Sequence, residues 1–127
     1  MSAEPGRARI LIVDDADEVV ALCAGILKTL GYAVTGASRG QAALDLIRAE
    51  AFDLVIVDYK MPEMSGFEVF EAARAMRPDM AFMLLTGHTS SDIIEDATDL
   101  GFTSTLTKPF TREQLRLAVE RTLPGRK

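Results

Sequence analysis

The stretch LVIVD, residues 54–58, consists of four bulky apolar residues followed by a carboxylate. Two further runs, ILIV at 10–13 and FMLL at 82–85, have the same unbroken apolar character. Runs of this kind are typical of central strands in a parallel sheet whose two faces are covered by helices. The runs AVT at 33–35 and TSTL at 103–106 are more polar. We therefore expect three central strands and two edge strands.

Helix-like segments separate these runs, and their ends carry recognisable signals. Three segments open with a capping-box pattern, in which Ser or Thr precedes Glu or Gln by three positions. The pairs are Ser38 with Gln41, Ser65 with Glu68, and Thr111 with Gln114. Gly31 stands where a C-terminal cap belongs, and Pro78 ends the third helix at Arg77. The fourth helix is expected to run from about Ser91 to Gly101. The last helix is expected to extend almost to Lys127.

The fivefold alternation of strand and helix predicts an α/β fold, with a parallel sheet and helices on both faces. Right-handed crossover connections favour the strand order 2-1-3-4-5. The predicted fold class is therefore a doubly wound (βα)5, flavodoxin-like fold.

The composition indicates one globular domain. The chain has 127 residues, of which 48% are hydrophobic and 26% charged, and a formal net charge of −5. We expect a single domain over residues 1–127, with its core at about 9–123. Cys23, on the apolar side of the first helix, is the only cysteine. It is expected to be a core residue, and a single cysteine excludes an internal disulfide and a cysteine-based zinc site.

The sequence also limits the partners and the location. Because the net charge is negative, we expect no nucleic-acid partner. No apolar run reaches the roughly 18 residues of a membrane span, and residues 1–9 lack the apolar segment of a secretory signal. We therefore expect no membrane association and a cytoplasmic location.

Polar residues that can bind ions or take part in reactions stand at the ends of four of the predicted strands. They are Asp14, Asp15, Asp58, Thr86 and Lys108. Each alone has a structural explanation, since aspartate often caps helices. Together they indicate a site, because ligands in such sheets bind beyond the carboxyl ends of the strands. Three carboxylates with no histidine or cysteine favour Mg²⁺, which allows a phosphate to approach.

From about Arg9 to Leu123, the sequence resembles the receiver domains of two-component response regulators. The matching segments are ILIVDD (10–15), LVIVDYKMPEMSG (54–66), LLTGH (84–88) and LTKPF (106–110). The spacings of 43 residues from Asp15 to Asp58, and of 22 from Thr86 to Lys108, also fit that family.

The resemblance implies that Asp58 accepts a phosphoryl group from a sensor histidine kinase or a histidine phosphotransfer protein. It implies Mg²⁺, with Mn²⁺ as a substitute, bound directly by Asp15 and mainly through water by Asp14. Asp58 and the backbone carbonyl of Lys60 complete the implied protein ligands. The chain is then a signalling phosphoacceptor rather than a turnover enzyme.

The same resemblance assigns a switch. Thr86, followed by Gly87, is expected to move toward the phosphoryl group, and Lys108 to pair with a phosphoryl oxygen. The Lys108–Pro109 bond is expected to be cis. Thr105 occupies a position where receivers commonly carry an aromatic residue. We therefore expect the fourth helix and the loop at 87–91 to transmit the change, with little rotamer change at Thr105.

The remaining expectations concern the rim and the output. The side chains of Lys60 and His88 are expected to modulate access to the site, although a solvated loop histidine is an equal interpretation of His88. The resemblance to receiver domains implies protein contacts on the face formed by the fourth helix, fifth strand and fifth helix. That face is expected to carry Ile94, Ala97, Thr105 and residues near Gln114.

Several alternatives stay open. Within the receiver interpretation, the chain is either a stand-alone regulator or a receiver from a hybrid kinase, and the start MSAEPGRAR favours the former. A phosphatase with an aspartyl nucleophile is an enzymatic alternative, which multiple turnover of a phosphate ester would favour. A flavodoxin-like cofactor domain would share the topology, but Asp14 and Asp15 would repel a flavin phosphate.

Overall fold

The computed structural model describes residues 8–87 and 91–123, in which five strands alternate with five helices. The strands are β1 (Arg9–Val13), β2 (Ala33–Ala37), β3 (Leu54–Asp58), β4 (Ala81–Thr86) and β5 (Ser104–Thr107). The helices are α1 (Asp17–Thr29), α2 (Gly40–Ala49), α3 (Gly66–Met76), α4 (Ser91–Leu100) and α5 (Arg112–Thr122).

The strands form one parallel sheet in the order β2-β1-β3-β4-β5. The fold class and strand order predicted from the sequence are therefore confirmed. The two polar strands lie at the edges, and all five residues of β3 are buried. Asp58 pairs with Leu85, and Thr86 pairs with Thr107, so the carboxyl ends of these strands meet at one edge of the sheet.

Alternate residues of the central strands pack into two separate cores, one on each face of the sheet. Val55, Val57 and Leu84 face the core under α2, α3 and α4. Leu54 and Ile56 face the core under α1 and α5. Because helices cover both faces of the sheet, the apolar runs of the three central strands are shielded from water on both sides. Cys23 is fully buried in the second core, as predicted.

The first core contains a group of packed aromatic rings. Phe70 lies 4.9 Å from Phe82 and 4.5 Å from Phe102, measured between ring centroids. Phe102 also lies 5.7 Å from Phe67. These contacts bind α3, β4 and the segment before β5 into one unit on the side of the sheet that carries α4.

The helix-cap predictions are confirmed at α3 and α5 and wrong at α2. Ser65–Glu68 and Thr111–Gln114 form reciprocal capping boxes. At α2 the N-cap is Arg39, and no side chain caps the helix. Gln41 is therefore the second helical residue instead of the third, and its amide donates to Asp45 at 3.1 Å. A second difference concerns the last helix, since α5 ends at Thr122, earlier than predicted.

This difference provides a matched pair of substitutions. Thr111→Ala should lower the free energy of unfolding by about 1 kcal/mol, because it removes the cap on the Gln114 amide. Ser38→Ala should change it by less than about 0.5 kcal/mol, since Ser38 is exposed and caps nothing. Urea unfolding monitored by circular dichroism measures both. Equal losses in the two variants would contradict the assigned caps.

In residues 8–87 and 91–123, no helix combines the length and the apolar character that a membrane span needs.

Candidate functional site

Three carboxylates converge at the carboxyl edge of the sheet. Asp14 and Asp15 follow β1, Asp58 ends β3, and these two strands are adjacent. One oxygen from each of the three carboxylates lies within 4.8 Å of the other two. Asp14 is fully buried and Asp58 is 5% exposed, whereas Asp15 is exposed. The sheet thus holds two of the acids rigidly and presents the third to solvent.

The ammonium group of Lys108 lies between two of these acids. Its Nζ donates to Asp14 Oδ2 at 2.9 Å and lies 3.2 Å from Asp58 Oδ1. The Lys108–Pro109 peptide bond is cis, the form that the resemblance implies. The Lys108 amide donates to the Thr86 carbonyl at 2.8 Å, which fixes the residue beside β4. Lys108 therefore partly neutralises the cluster of three acids.

The electrostatics of the cluster make Asp58 harder to ionise than an ordinary aspartate. Burial and the neighbouring Asp14 charge raise the pKa of Asp58 to about 6, although Lys108 lowers it in part. Burial lowers the pKa of Lys108, but its hydrogen bond to Asp14 and the charges of Asp58 and Asp14 outweigh this, so the net shift is upward. One lysine does not fully compensate the three acids, and additional positive charge would stabilise the ionised site.

Asp14 also organises the start of α1. Its Oδ1 accepts from the Ala16 amide at 2.9 Å, while its Oδ2 accepts from Lys108. Both oxygens of this buried carboxylate are thus engaged by the protein itself. Asp15 is the acid of the cluster that faces outward.

The loop after Asp58 is held tightly to the end of β3. The Tyr59 amide donates to the Leu85 carbonyl at 2.8 Å, and the Gly66 amide donates to the Tyr59 carbonyl at 2.9 Å. Lys60 is exposed and, with Tyr59 and Ile93, lines a cavity of about 350 Å³ beside the site. Its predicted role in modulating access to the site stays a prediction.

Thr86 lies at the end of β4 and is fully buried. Gly87 follows it and is exposed, and a Cβ placed there would have no neighbour within 4 Å. His88, the other predicted rim residue, lies outside the described residues. The structure therefore brings together Asp14, Asp15, Asp58 and Lys108, with Thr86 on the neighbouring strand.

The predicted output face needs one correction. Ala97 is fully buried in the core beneath α4, so it cannot belong to an exposed face. Ile94, one turn earlier, is 36% exposed, and Thr105 is half-buried on β5 opposite Leu84. Ala97 lies one turn after Ile93, which packs against the same core, so Ala97 continues the buried stripe of α4.

The response regulator receiver domain family matches this chain over residues 10–120. The chain belongs to this family. Response regulator receiver domains are signalling phosphoacceptors of two-component systems, and they interact with histidine kinases or phosphotransfer proteins. The acidic cluster of Asp14, Asp15 and Asp58 fits the phosphorylation site of such a receiver.

The relatives that are similar to this chain differ in overall length. Sporulation initiation phosphotransferase F of Bacillus subtilis (strain 168) is 32% identical over 116 residues, which cover 91% of this chain and 94% of the relative. Transcriptional regulatory protein GlrR of Escherichia coli (strain K12) is 36% identical over 120 residues, 94% of this chain but 27% of the relative. This chain therefore matches about a quarter of the length of that regulator.

Solved structures agree with the fold of this receiver. The chemotaxis response regulator CheY4 of Vibrio cholerae matches with a TM-score of 0.86 and 32% identity, covering 91% of this chain and 98% of that chain.

Sequence reasoning did not identify the pairing of Lys108 with Asp14. The two residues are 94 positions apart, so no local pattern connects them. The available signal was the cost of burying Asp14, since a buried carboxylate requires a cation or several donors. The ring contact between Tyr59 and Phe67, with centroids 5.0 Å apart, was also not predicted.

Proposed function

We propose that Asp58 of this receiver accepts a phosphoryl group from a phosphohistidine, carried by a sensor histidine kinase or a histidine phosphotransfer protein. One observation carries the proposal: the Asp58 carboxylate sits at the end of the central strand, grouped with two other acids and 3.2 Å from Lys108 Nζ. A carboxylate in this position can attack phosphorus, while a nearby ammonium can balance the charge of the incoming oxygens.

The donor set fits Mg²⁺. The described cluster offers carboxylate oxygens and no nitrogen or sulfur ligand, which is the preference of a hard divalent cation. Asp15 is proposed to bind directly because it is exposed, and Asp14 mainly through water because the protein engages both its oxygens. Asp58 and the Lys60 carbonyl complete the proposed set. Mg²⁺, when bound, would supply the positive charge that Lys108 alone does not.

The reaction transfers a phosphoryl group without net oxidation. A lone pair on a carboxylate oxygen of Asp58 forms a bond to phosphorus as the phosphorus–nitrogen bond of the donor breaks. The bonding electrons pass to the imidazole nitrogen, which takes a proton from solvent as needed, and an acyl phosphate remains on Asp58. Lys108 would then move from the carboxylates toward a phosphoryl oxygen, and the Thr86 hydroxyl would offer a second contact.

Intact-mass measurement tests this function directly. The purified chain, incubated with phosphoramidate and Mg²⁺, should gain one phosphoryl group, and EDTA should abolish the gain. Release of many product molecules per chain from a phosphate ester would instead favour the phosphatase alternative. A mass gain that persists unchanged in EDTA would contradict the proposed metal dependence.

The two acids after β1 should contribute unequally to metal affinity. Asp15→Ala should weaken Mg²⁺ binding by more than about tenfold, because it removes a direct ligand. Asp14→Ala should weaken it less, since its oxygens already bond to Lys108 and Ala16. Isothermal titration calorimetry of both variants measures the affinities. A larger loss for Asp14→Ala would reverse the assigned roles.

Thr105 should play a minor part in transmission. Its β-branched side chain is too small to fill the space of an aromatic ring, and it has restricted rotamers. We expect beryllofluoride, a phosphoryl mimic, to shift amide resonances from Gly87 into α4 more than the Thr105 methyl resonance. NMR of the chain with and without the mimic provides the comparison. A clean rotamer change at Thr105 with no shift at Gly87 or α4 would contradict this expectation.

A further inference from the structure

A groove runs between α3 and α4, on the side of the sheet away from α1 and α5. Its apolar floor is formed by Phe67 and Leu100, and its rim by Asp96 and Asp99. The groove has a volume of about 290 Å³. This is at or below the lower end of small-ligand pockets, about 300 Å³, so it suits one or two aliphatic side chains better than a cofactor.

The rim of this groove belongs to a helix, α4, whose charged side chains are all acidic. Helix α4 carries Asp92, Glu95, Asp96 and Asp99 but no Lys or Arg, unlike the other four helices of the described chain. The C-terminal end of a helix also bears a partial negative charge, which adds to that of Asp96 and Asp99. Negative potential is therefore concentrated beside an apolar floor.

The described part of the chain neutralises only the helix-end part of this charge, through Arg74. Within residues 8–87 and 91–123, neither Asp96 nor Asp99 has a cationic or hydrogen-bonding partner for its side chain. On α5, by contrast, Arg116 pairs with both Glu113 and Glu120. The nearby cation Arg74 donates instead to the Leu100 carbonyl at 2.7 Å and lies over the Phe70 ring.

We propose that the α3–α4 groove docks a segment of a partner protein that presents an aliphatic side chain flanked by lysine or arginine. The aliphatic group would cover Phe67 and Leu100, and the cations would face Asp96 and Asp99. An amphipathic basic helix has this arrangement. A second copy of the chain does not fit through this face, because two acidic α4 helices would repel one another.

This surface goes beyond the phosphoryl chemistry and does not require it. It is nevertheless close to the site, since the Phe67 ring on its floor contacts Tyr59, the residue after Asp58.

The experiment uses the whole chain, labelled with ¹⁵N, and a designed helical peptide. The peptide carries leucines one turn apart on one face with lysines beside them. Titration should shift the amides of Phe67, Asp96, Asp99 and Leu100. Two matched peptides, with glutamate in place of lysine or serine in place of leucine, should bind more weakly. Absence of binding by the basic peptide, or shifts centred on another face, would overturn the proposal.

Two variants of α4 separate groove docking from general attraction. Asp99→Asn should weaken binding about three- to fivefold, the effect of losing one surface charge contact. Glu95→Gln removes the same charge from the same helix, but Glu95 does not line the groove, so it should weaken binding less than about twofold. Equal losses in both variants would indicate unspecific electrostatic attraction and overturn the docking site.

Discussion

The Asp58→Asn variant is expected to gain no phosphoryl group from phosphoramidate under conditions in which the parent chain is fully modified. Asparagine has nearly the same size as aspartate, but its amide oxygen is uncharged and is a poor nucleophile. Removal of a nucleophile slows a reaction by roughly 10³-fold or more. Lys108 keeps its 2.9 Å hydrogen bond to Asp14, so the rest of the site should remain in place. Intact mass against time measures the rate.

Asp79→Asn is the matched control for this experiment. It makes the same chemical change at an exposed residue that precedes β4, at the opposite edge of the sheet from Asp58. This variant should be phosphorylated at the parent rate. If Asp58→Asn still gained the group at the parent rate, the acceptor would be another residue, which peptide mapping would then identify.

The sequence was most informative where the same pattern recurs, an apolar run followed by a polar residue. Three apolar runs predicted the central strands, and because parallel strands end at the same edge, the acids after β1 and β3 had to meet. That logic was enough to group Asp14, Asp15 and Asp58 at one edge. It also placed Thr86 and Lys108 near them. The order of the strands followed from the handedness of the connections.

The errors arose where a local pattern competed with tertiary packing. Ser38 has the residue type of a cap, but α2 begins at Gly40, where the helix packs closely against Met64 and Val69. A Cβ at Gly40 would lie 2.9 Å from the Met64 sulfur, so this approach favours glycine. Contacts of this kind join segments that are distant in sequence. They set the start of a helix in ways that a capping motif alone does not predict.

Gly66→Ala is expected to cause the largest loss of stability among these substitutions. A Cβ at this position would lie 2.5 Å from the carbonyl oxygen of Asp58 and 3.2 Å from Tyr59 Cα. Both neighbours are backbone atoms at the end of a fully buried strand, so neither can rotate away. Overpacking of this kind costs about 1–3 kcal/mol, and we expect the upper end. Urea unfolding of the variant gives the difference in free energy.

Gly25→Ala gives the opposite expectation and serves as the control. Gly25 is an exposed residue in the interior of α1, and a Cβ added to it would meet nothing within 4 Å beyond the backbone of its own helix. Alanine should therefore stabilise the helix by about 0.5–1 kcal/mol. Both substitutions add one carbon atom. Changes of opposite sign in the free energy of unfolding would show that the loss at position 66 comes from the close contact with the Asp58 carbonyl. A neutral or stabilising Gly66→Ala would show that the loop relaxes without strain.

The clash at Gly66 should also affect the reaction at Asp58. To accept a Cβ, the variant must move the Asp58 carbonyl or break the 2.9 Å hydrogen bond from the Gly66 amide to Tyr59. Either change displaces the carboxylate relative to Lys108, and a displacement of about 1 Å can slow a reaction about 10²-fold. Phosphorylation should therefore be slow even at temperatures where the variant is fully folded. A folded Gly66→Ala chain that reacts at the parent rate would separate loop packing from the placement of the phosphoacceptor.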